Sequence, residues 1–302
     1  MIKMQWRKVC VAGCVAAFVG CASSSKDDDA NTNNSNNPQN EGGDSSSTTD
    51  SDAIKIAMSG AAFPHLLSTA FAENRTTDFT QMAVAIADPQ RILQQIDEPL
   101  ASKVLVTDTQ CPSAGAFEHA CGFQFDAVDI ADVTLGLIAV VDDLPGQADR
   151  WVNTGTGIAS GSTVAALQES GAALTDIKTF GVSRRAEGVL ASLLGKQAGD
   201  LEKMGFLIGQ VLSNSRTPVG GAVVVPDNNT LFDIYYLNDN LMGVNQTNTS
   251  AAHGFFVAVP KDPSSNLPKV TRWGAQATGH TWKGPLAGTN KGTAFVLMLV
   301  AE

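Results

Sequence analysis

Four histidines, five cysteines and a thin scatter of carboxylates are the side chains from which a reaction centre could be built in this 302-residue chain. His65, His119, His253 and His280 stand far apart, and none opens the His-Glu-x-x-His pattern that seats zinc on one helix face. In Gly157-Ile158-Ala159-Ser160-Gly161 the serine stands one place late for a Gly-x-Ser-x-Gly nucleophile elbow, and no strand-to-helix turn is evident around it. Gly155-Thr156-Gly157 opens like a dinucleotide loop, but the third glycine falls at Gly161 and no βαβ unit surrounds it. These strings read as turns, and neither a catalytic residue nor a cofactor is implied.

The acidic side chains offer a hard-cation site instead. Asp126, Asp129 and Asp132 precede an apolar run, and Asp142 and Asp143 follow it before Pro145-Gly146. Oxygen ligands gathered on a turn suit Ca²⁺. The spacing departs from Asp-x-Asp-x-Asp-Gly, so Asp142 and Asp143 stand as calcium candidates beside the alternative of solvated loop carboxylates. Cys111 and Cys121 are the cysteines left once those near the N-terminus are set aside, and they read as a disulfide closing a short loop. Metal binding with His119 is the rival, but it lacks a fourth ligand and a Cys-x-x-Cys spacing. Tyr235, Tyr236, Trp273 and Trp282 are either core rings or sugar-stacking platforms, and the alternation of Phe232-Asp233-Ile234-Tyr235-Tyr236 favours an ordinary strand.

Compartment is clearer than chemistry. Lys3, Arg7 and Lys8 precede an uncharged run over residues 9–20, and the first acidic residue is Asp27. A basic head followed by about a dozen apolar residues is an export signal, too short to span ~30 Å of hydrocarbon. The run ends Phe18-Val19-Gly20-Cys21, which resembles the lipobox of bacterial lipoproteins. That resemblance implies cleavage after residue 20 and lipidation of Cys21, with acyl chains such as palmitate holding the chain to a membrane. Phe18 replaces the usual Leu of the box. Ala22, where Asp is often the inner-membrane retention signal, points to the outer membrane. Residues 21–53 are then a polar tether of Ser, Asn, Asp, Gly and Thr that cannot bury enough surface to order itself.

The remaining elements would have to hold any site. With 28 glycines, 17% charged residues and a net charge of −10, the chain fits a turn-rich β protein, and it excludes a nucleic-acid partner, which needs clustered Lys and Arg. Strand-like runs occupy residues 82–87, 103–106 and 135–141, bounded by Asp, Pro or Gly. Residues 61–72 and 90–96 read as short helices or loops. Residues 163–167 and 183–194 show helical spacing, with Ser183 as N-cap and Gly195 as the left-handed C-cap residue, and residues 200–204 add a turn. From Gly205 strands return at 206–212, 222–225, 255–259 and 295–300.

Gly209-Gln210-Val211 with Pro218-Val219-Gly220-Gly221-Ala222-Val223-Val224-Val225 resembles the opening hairpin of carboxypeptidase regulatory-like domains, which are transthyretin-like sandwiches. Thr247-Asn248-Thr249 and Gly254-Phe255-Phe256-Val257 are similar to that family's later strand pair. Thr217 and Pro260-Lys261-Asp262-Pro263 depart from its pattern. The resemblance covers residues 205–302 and implies a non-catalytic module.

The expected architecture is mainly β: two β-sandwich modules, immunoglobulin- or transthyretin-like, joined by a short helical segment. Its divisions are 1–20 signal peptide, 21–53 tether, 54–160 N-terminal β-rich domain, 161–204 helical connector and 205–302 sandwich. The expected role is a membrane-anchored, non-catalytic binding or adhesion module of the cell envelope, with a protein or polysaccharide ligand. The alternative is a secreted hydrolase or carbohydrate-active protein whose site is assembled from distant loops.

Overall fold

The structure is a computed structural model that describes residues 53–72, 82–94, 98–105, 113–114, 118–119, 121–143 and 150–301. Cys21, the tether and Cys111 lie outside the described residues. The first part of the body runs β1 (Lys55–Pro64), α1 (Leu66–Ala70), β2 (Met82–Ala87), α2 (Pro89–Leu93), β3 (Ala101–Leu105), β4 (Ser113–Ala114) and β5 (Glu118–His119). Next come β6 (Cys121–Asp129), β7 (Gly136–Asp142), β8 (Trp151–Val152), β9 (Thr154–Ser160), α3 (Gly161–Ser170), β10 (Leu174–Ser183), α4 (Arg184–Leu193) and α5 (Asp200–Met204). The rest is β11 (Phe206–Leu212), β12 (Val223–Val224), β13 (Phe232–Leu237), β14 (Val244–Asn245), β15 (Phe255–Pro260), β16 (Lys269–Ala277), β17 (His280–Thr289) and β18 (Ala294–Val300).

The organising element is a nine-stranded sheet, in the order β14-β13-β15-β11-β18-β9-β7-β2-β3. Several of its strands, β2, β11 and β15 among them, are buried at successive positions because both faces are covered. On one face Met82, Val84, Ile86, Leu137, Ala139 and Val141 meet Ile56, Met58, Phe123 and Phe125 of a four-stranded sheet, β6-β1-β10-β8. Farther along the same face, Phe206, Ile208, Val257 and Val296 pack under Leu67 of α1, Leu190 of α4 and Leu201 of α5. The opposite face buries Leu207, Val211, Phe256, Leu297 and Leu299 against Trp273, Ala275 and Trp282 of a three-stranded sheet, β12-β16-β17. Each large side chain fully buried in this way is worth about 1.5–3 kcal/mol.

The protein is mainly β, as expected, but the two-module plan is corrected. One sheet runs through both expected halves, because β9 pairs in parallel with β18 and β18 with β11. Residues 161–204 are not a helical connector alone, since they include β10, which pairs in parallel with β1 along its length. The reason is local. Thr154-Gly155-Thr156-Gly157 has no large apolar residue to signal a strand, yet its small residues fit where the Phe295 ring crosses the sheet. A Cβ on Gly155 would come 2.8 Å from that ring. Gly155 and Gly157 therefore lie in a strand, not in the turn expected of them.

Inside residues 205–302 the expected sandwich motif is partly realised. Pro218 bridges Leu212 after the turn, Gly221 and Gly254 take positive φ, and Thr249 Oγ1 donates to Val219 O and accepts from Ala222 N. β12 does not complete a hairpin with β11, however, because it pairs with β16 in the other sheet.

Candidate functional site

Polar side chains with catalytic potential are used here to end strands and start helices. His65 caps α1 by accepting the Leu67 N–H on Nδ1 at 3.2 Å. Asp88 caps α2 through the Gln90 N–H, and Ser183 caps α4 through the Ala186 N–H. Ser160 does stand at a strand-to-helix junction, which the sequence did not reveal, but with φ −79° it is an unstrained N-cap of α3. Its hydroxyl accepts from Thr163 N at 3.2 Å and lies 2.9 Å from Ser162 Oγ. Replacing Ser160 by Ala is expected to cost about 1 kcal/mol in chemical denaturation, the usual value of a serine cap; no loss would show the cap to be idle.

The carboxylates are committed in the same manner. Asp143 Oδ1 accepts from Arg150 N at 3.1 Å and Trp151 N at 2.8 Å, and its Oδ2 lies 3.8 Å from Arg184 Nε. Arg184 pairs in turn with Glu202, which ties the start of β8 to α4 and α5. Asp142 accepts from Asp143 N. N–H and guanidinium donors occupy the lone pairs that a cation would need at Asp143, and no other carboxylate is brought beside them among the described residues. No described group of three or more His, Cys, Asp and Glu could hold a metal ion. Asp126 accepts from Gln124 and Asp129 from Ala131 N, both on the exposed side of β6 and its following turn. Glu187, buried in α4, accepts the N–H groups of Gly199, Leu201 and Glu202 and so caps α5. The sequence reading missed it; its place one turn into an amphipathic helix is the only signal it leaves.

Cys121, fully buried at the start of β6, is disulfide-bonded, and Cys111, its expected partner, lies outside the described residues; β6 is also held by its ladder to β1. His119 falls in β5. Trp273 and Trp282 are interior rings whose indole N–H groups donate to Ala287 O and Leu212 O, which removes them as exposed sugar platforms.

What remains open is a shelf on the helix-covered face of the nine-stranded sheet. Phe255, Gln210 and Met298 are cross-strand neighbours there, with Leu212 and Val300 in the next row. Met298 is 41% and Val300 38% exposed. Half-buried Phe63 and Phe180 lie 6.1 Å apart, and His65 fits between Phe180 and Phe255 at 6.2 and 5.5 Å. His253 stacks on the far side of Phe255 and its backbone carbonyl accepts from Gln210 Nε2. The shelf's exposed side chains are apolar at Met298 and Val300, with the Gln210 amide and the His253 ring, whose Nε2 lies 2.8 Å from Asp239 O, beside them. No described helix is long and apolar enough to cross a membrane.

No family model and no curated protein matches this chain. Among solved structures, the shaft pilin SpaA of Lactobacillus rhamnosus GG aligns over 82% of this chain and 98% of its own at 5% identity and TM-score 0.21. A streptococcal ancillary pilin covers 82% and 68% at 8% identity and TM-score 0.21. A C-terminal fragment of the pilus adhesin SpaC, also from L. rhamnosus GG, covers 82% and 97% at 7% identity and TM-score 0.17. Scores this low leave fold and role to be argued from the chain's own sheets. The outer-membrane address expected from Ala22 draws no support from these likenesses and is not carried forward.

Proposed function

We propose that this chain is a non-catalytic binding or adhesion module of the bacterial cell envelope, held to a membrane by lipid on Cys21. The observation that carries the reading is the string Phe18-Val19-Gly20-Cys21 at the end of a basic-headed apolar run, followed at once by a polar stretch. A lipid needs a cysteine at the mature N-terminus, and a body that binds away from the membrane needs a solvated spacer of the kind residues 22–53 supply. The structure adds support of another kind: His65, Asp88, Asp143, Ser160 and Glu187 all hold backbone N–H groups, and the open surface is apolar. The partner is a protein or polysaccharide. Growing cells with a clickable fatty-acid analogue should label the wild-type chain and leave Cys21→Ser unlabelled; equal labelling of both would remove the anchor.

A further inference from the structure

The nine-stranded sheet is incomplete at its centre. β9 and β18 run side by side in parallel, yet they pair only between Thr154–Thr156 and Ala294–Val296. Beyond that point the ladder of β9 to β7 shifts register, between Leu137 and Ile138, and β9 follows β7 rather than β18. Ala294 N donates to Asn153 O, and Ala301 N donates to Leu212 O. Successive amides of a strand point to alternate sides. The N–H groups of Met298 and Val300 therefore face the β9 side, where no described strand pairs with β18 past Val296.

The other sheet edges carry the usual guards against pairing with a foreign strand. β8, β12 and β14 are two residues long, β3 holds Lys103, β6 holds Asp126 and Asp129, and β17 holds Lys283 and Pro285. Short length, charge and proline each discourage strand addition. β18 reads Ala-Phe-Val-Leu-Met-Leu-Val, with neither a charge nor a proline. Met298 and Val300 project from it into solvent on one face, and on β9 a side chain at Gly157 would meet nothing within 4 Å.

We propose that this split accepts an extended strand from another polypeptide, which pairs its main chain with β18 at Met298 and Val300 and lays alternate apolar side chains beside theirs. An unpaired row of amides specifies a peptide backbone, and the apolar shelf specifies the alternation. The occupant is not the chain's own polar stretch, since residues 22–53 contain no large apolar residue. The inference supplies the partner chemistry of the binding role and rests on that role.

Hydrogen exchange on the purified full chain tests it, without reference to Cys21, so a negative result leaves the anchor untouched. In the free protein the Met298 and Val300 amides should exchange roughly 100-fold faster than those of Leu297 and Leu299, which face β11. Adding about 1 mM of a capped peptide of alternating Thr and Val should slow the first pair at least ~10-fold and leave β17 unchanged. Met298→Lys, a change at an exposed side chain that should leave the fold intact, should abolish the slowing. Amides of Met298 and Val300 as protected as those of Leu299 before any addition would show the edge already occupied and end the proposal. So would exchange unmoved by the peptide, or slowing that survives in Met298→Lys.

Discussion

Acidification from pH 6.5 to pH 4 should cost this protein about 3 kcal/mol of stability through one side chain. His65 is buried where β1 turns into α1, and burial lowers its pKa from 6.5 to about 4. Its neutral form is fixed by contact: Nδ1 accepts the Leu67 N–H, and Phe180 and Phe255 enclose the ring. Protonation would turn that acceptor into a donor facing another donor and place a charge among aromatics. The unfolded chain takes up the proton near pH 6.5 and the folded chain only near pH 4, so the unfolded state binds more protons throughout the interval. Stability therefore falls as pH drops through that window, and the loss is complete below about pH 4. A shift of this size corresponds to about 3 kcal/mol. His65→Asn keeps a capping oxygen and cannot titrate there. The stability difference between wild type and His65→Asn should change by that amount between pH 6.5 and 4, in urea melts at fixed salt. A parallel pair of pH curves, or an imidazole NMR titration centred near 6.5, would refute the assignment.

Gly209→Ala should be strongly disruptive for a single added methyl. The Phe256 ring lies across Gly209, and a Cβ built there would come 1.9 Å from Cζ and 2.1 Å from Cε1. Phe256 is fully buried and packs 5.9 Å from the Trp273 ring, which is itself 5.1 Å from Phe232. The ring has no free volume to enter, so β11 and β15 would have to separate. Overpacking of this kind costs about 3 kcal/mol. For a body of this size that is a fall in Tm of roughly 6–12 °C. Gly157→Ala, with nothing within 4 Å, is the matched control and should change Tm little. Equal melting of Gly209→Ala and wild type would show that the ring is not packed on the glycine.

Much of the fold is legible in the residues, and what is not has identifiable causes. Met82–Ala87 and Phe206–Leu212 announce themselves as strands because both faces are apolar, and the structure places them at those bounds. Ser183 caps α4 and Gly195 takes positive φ, as their types require. β6 was legible but unread: Cys121, Phe123 and Phe125 alternate with Gly122, Gln124 and Asp126, and the buried positions follow that alternation. β1, read instead as part of a short helix or loop from residue 61, is masked by Gly60 and its run of alanines. β9 and β10 could not be read locally. Their edge groups are satisfied across sheets, with Thr156 Oγ1 accepting from Phe180 N and Thr154 Oγ1 accepting from Val182 N. A threonine in that role looks like any turn threonine in the sequence. The same holds for the open shelf: nothing in Ala-Phe-Val-Leu-Met-Leu-Val reveals that one flank of the strand is paired for only part of its length. That property belongs to the course of β9, not to β18.

The parallel seam has a consequence for how the protein is made. β18 is drawn from residues 294–300, yet it lies between β11 and β9, and among the described strands it makes the ladder that joins those from residue 206 onward to those of the first half. A chain folding from its front end can collapse each half but has no zip between them until residues 294–300 are in place. Closure of the nine-stranded sheet therefore depends on β18, the strand drawn from farthest along the sequence among those it joins.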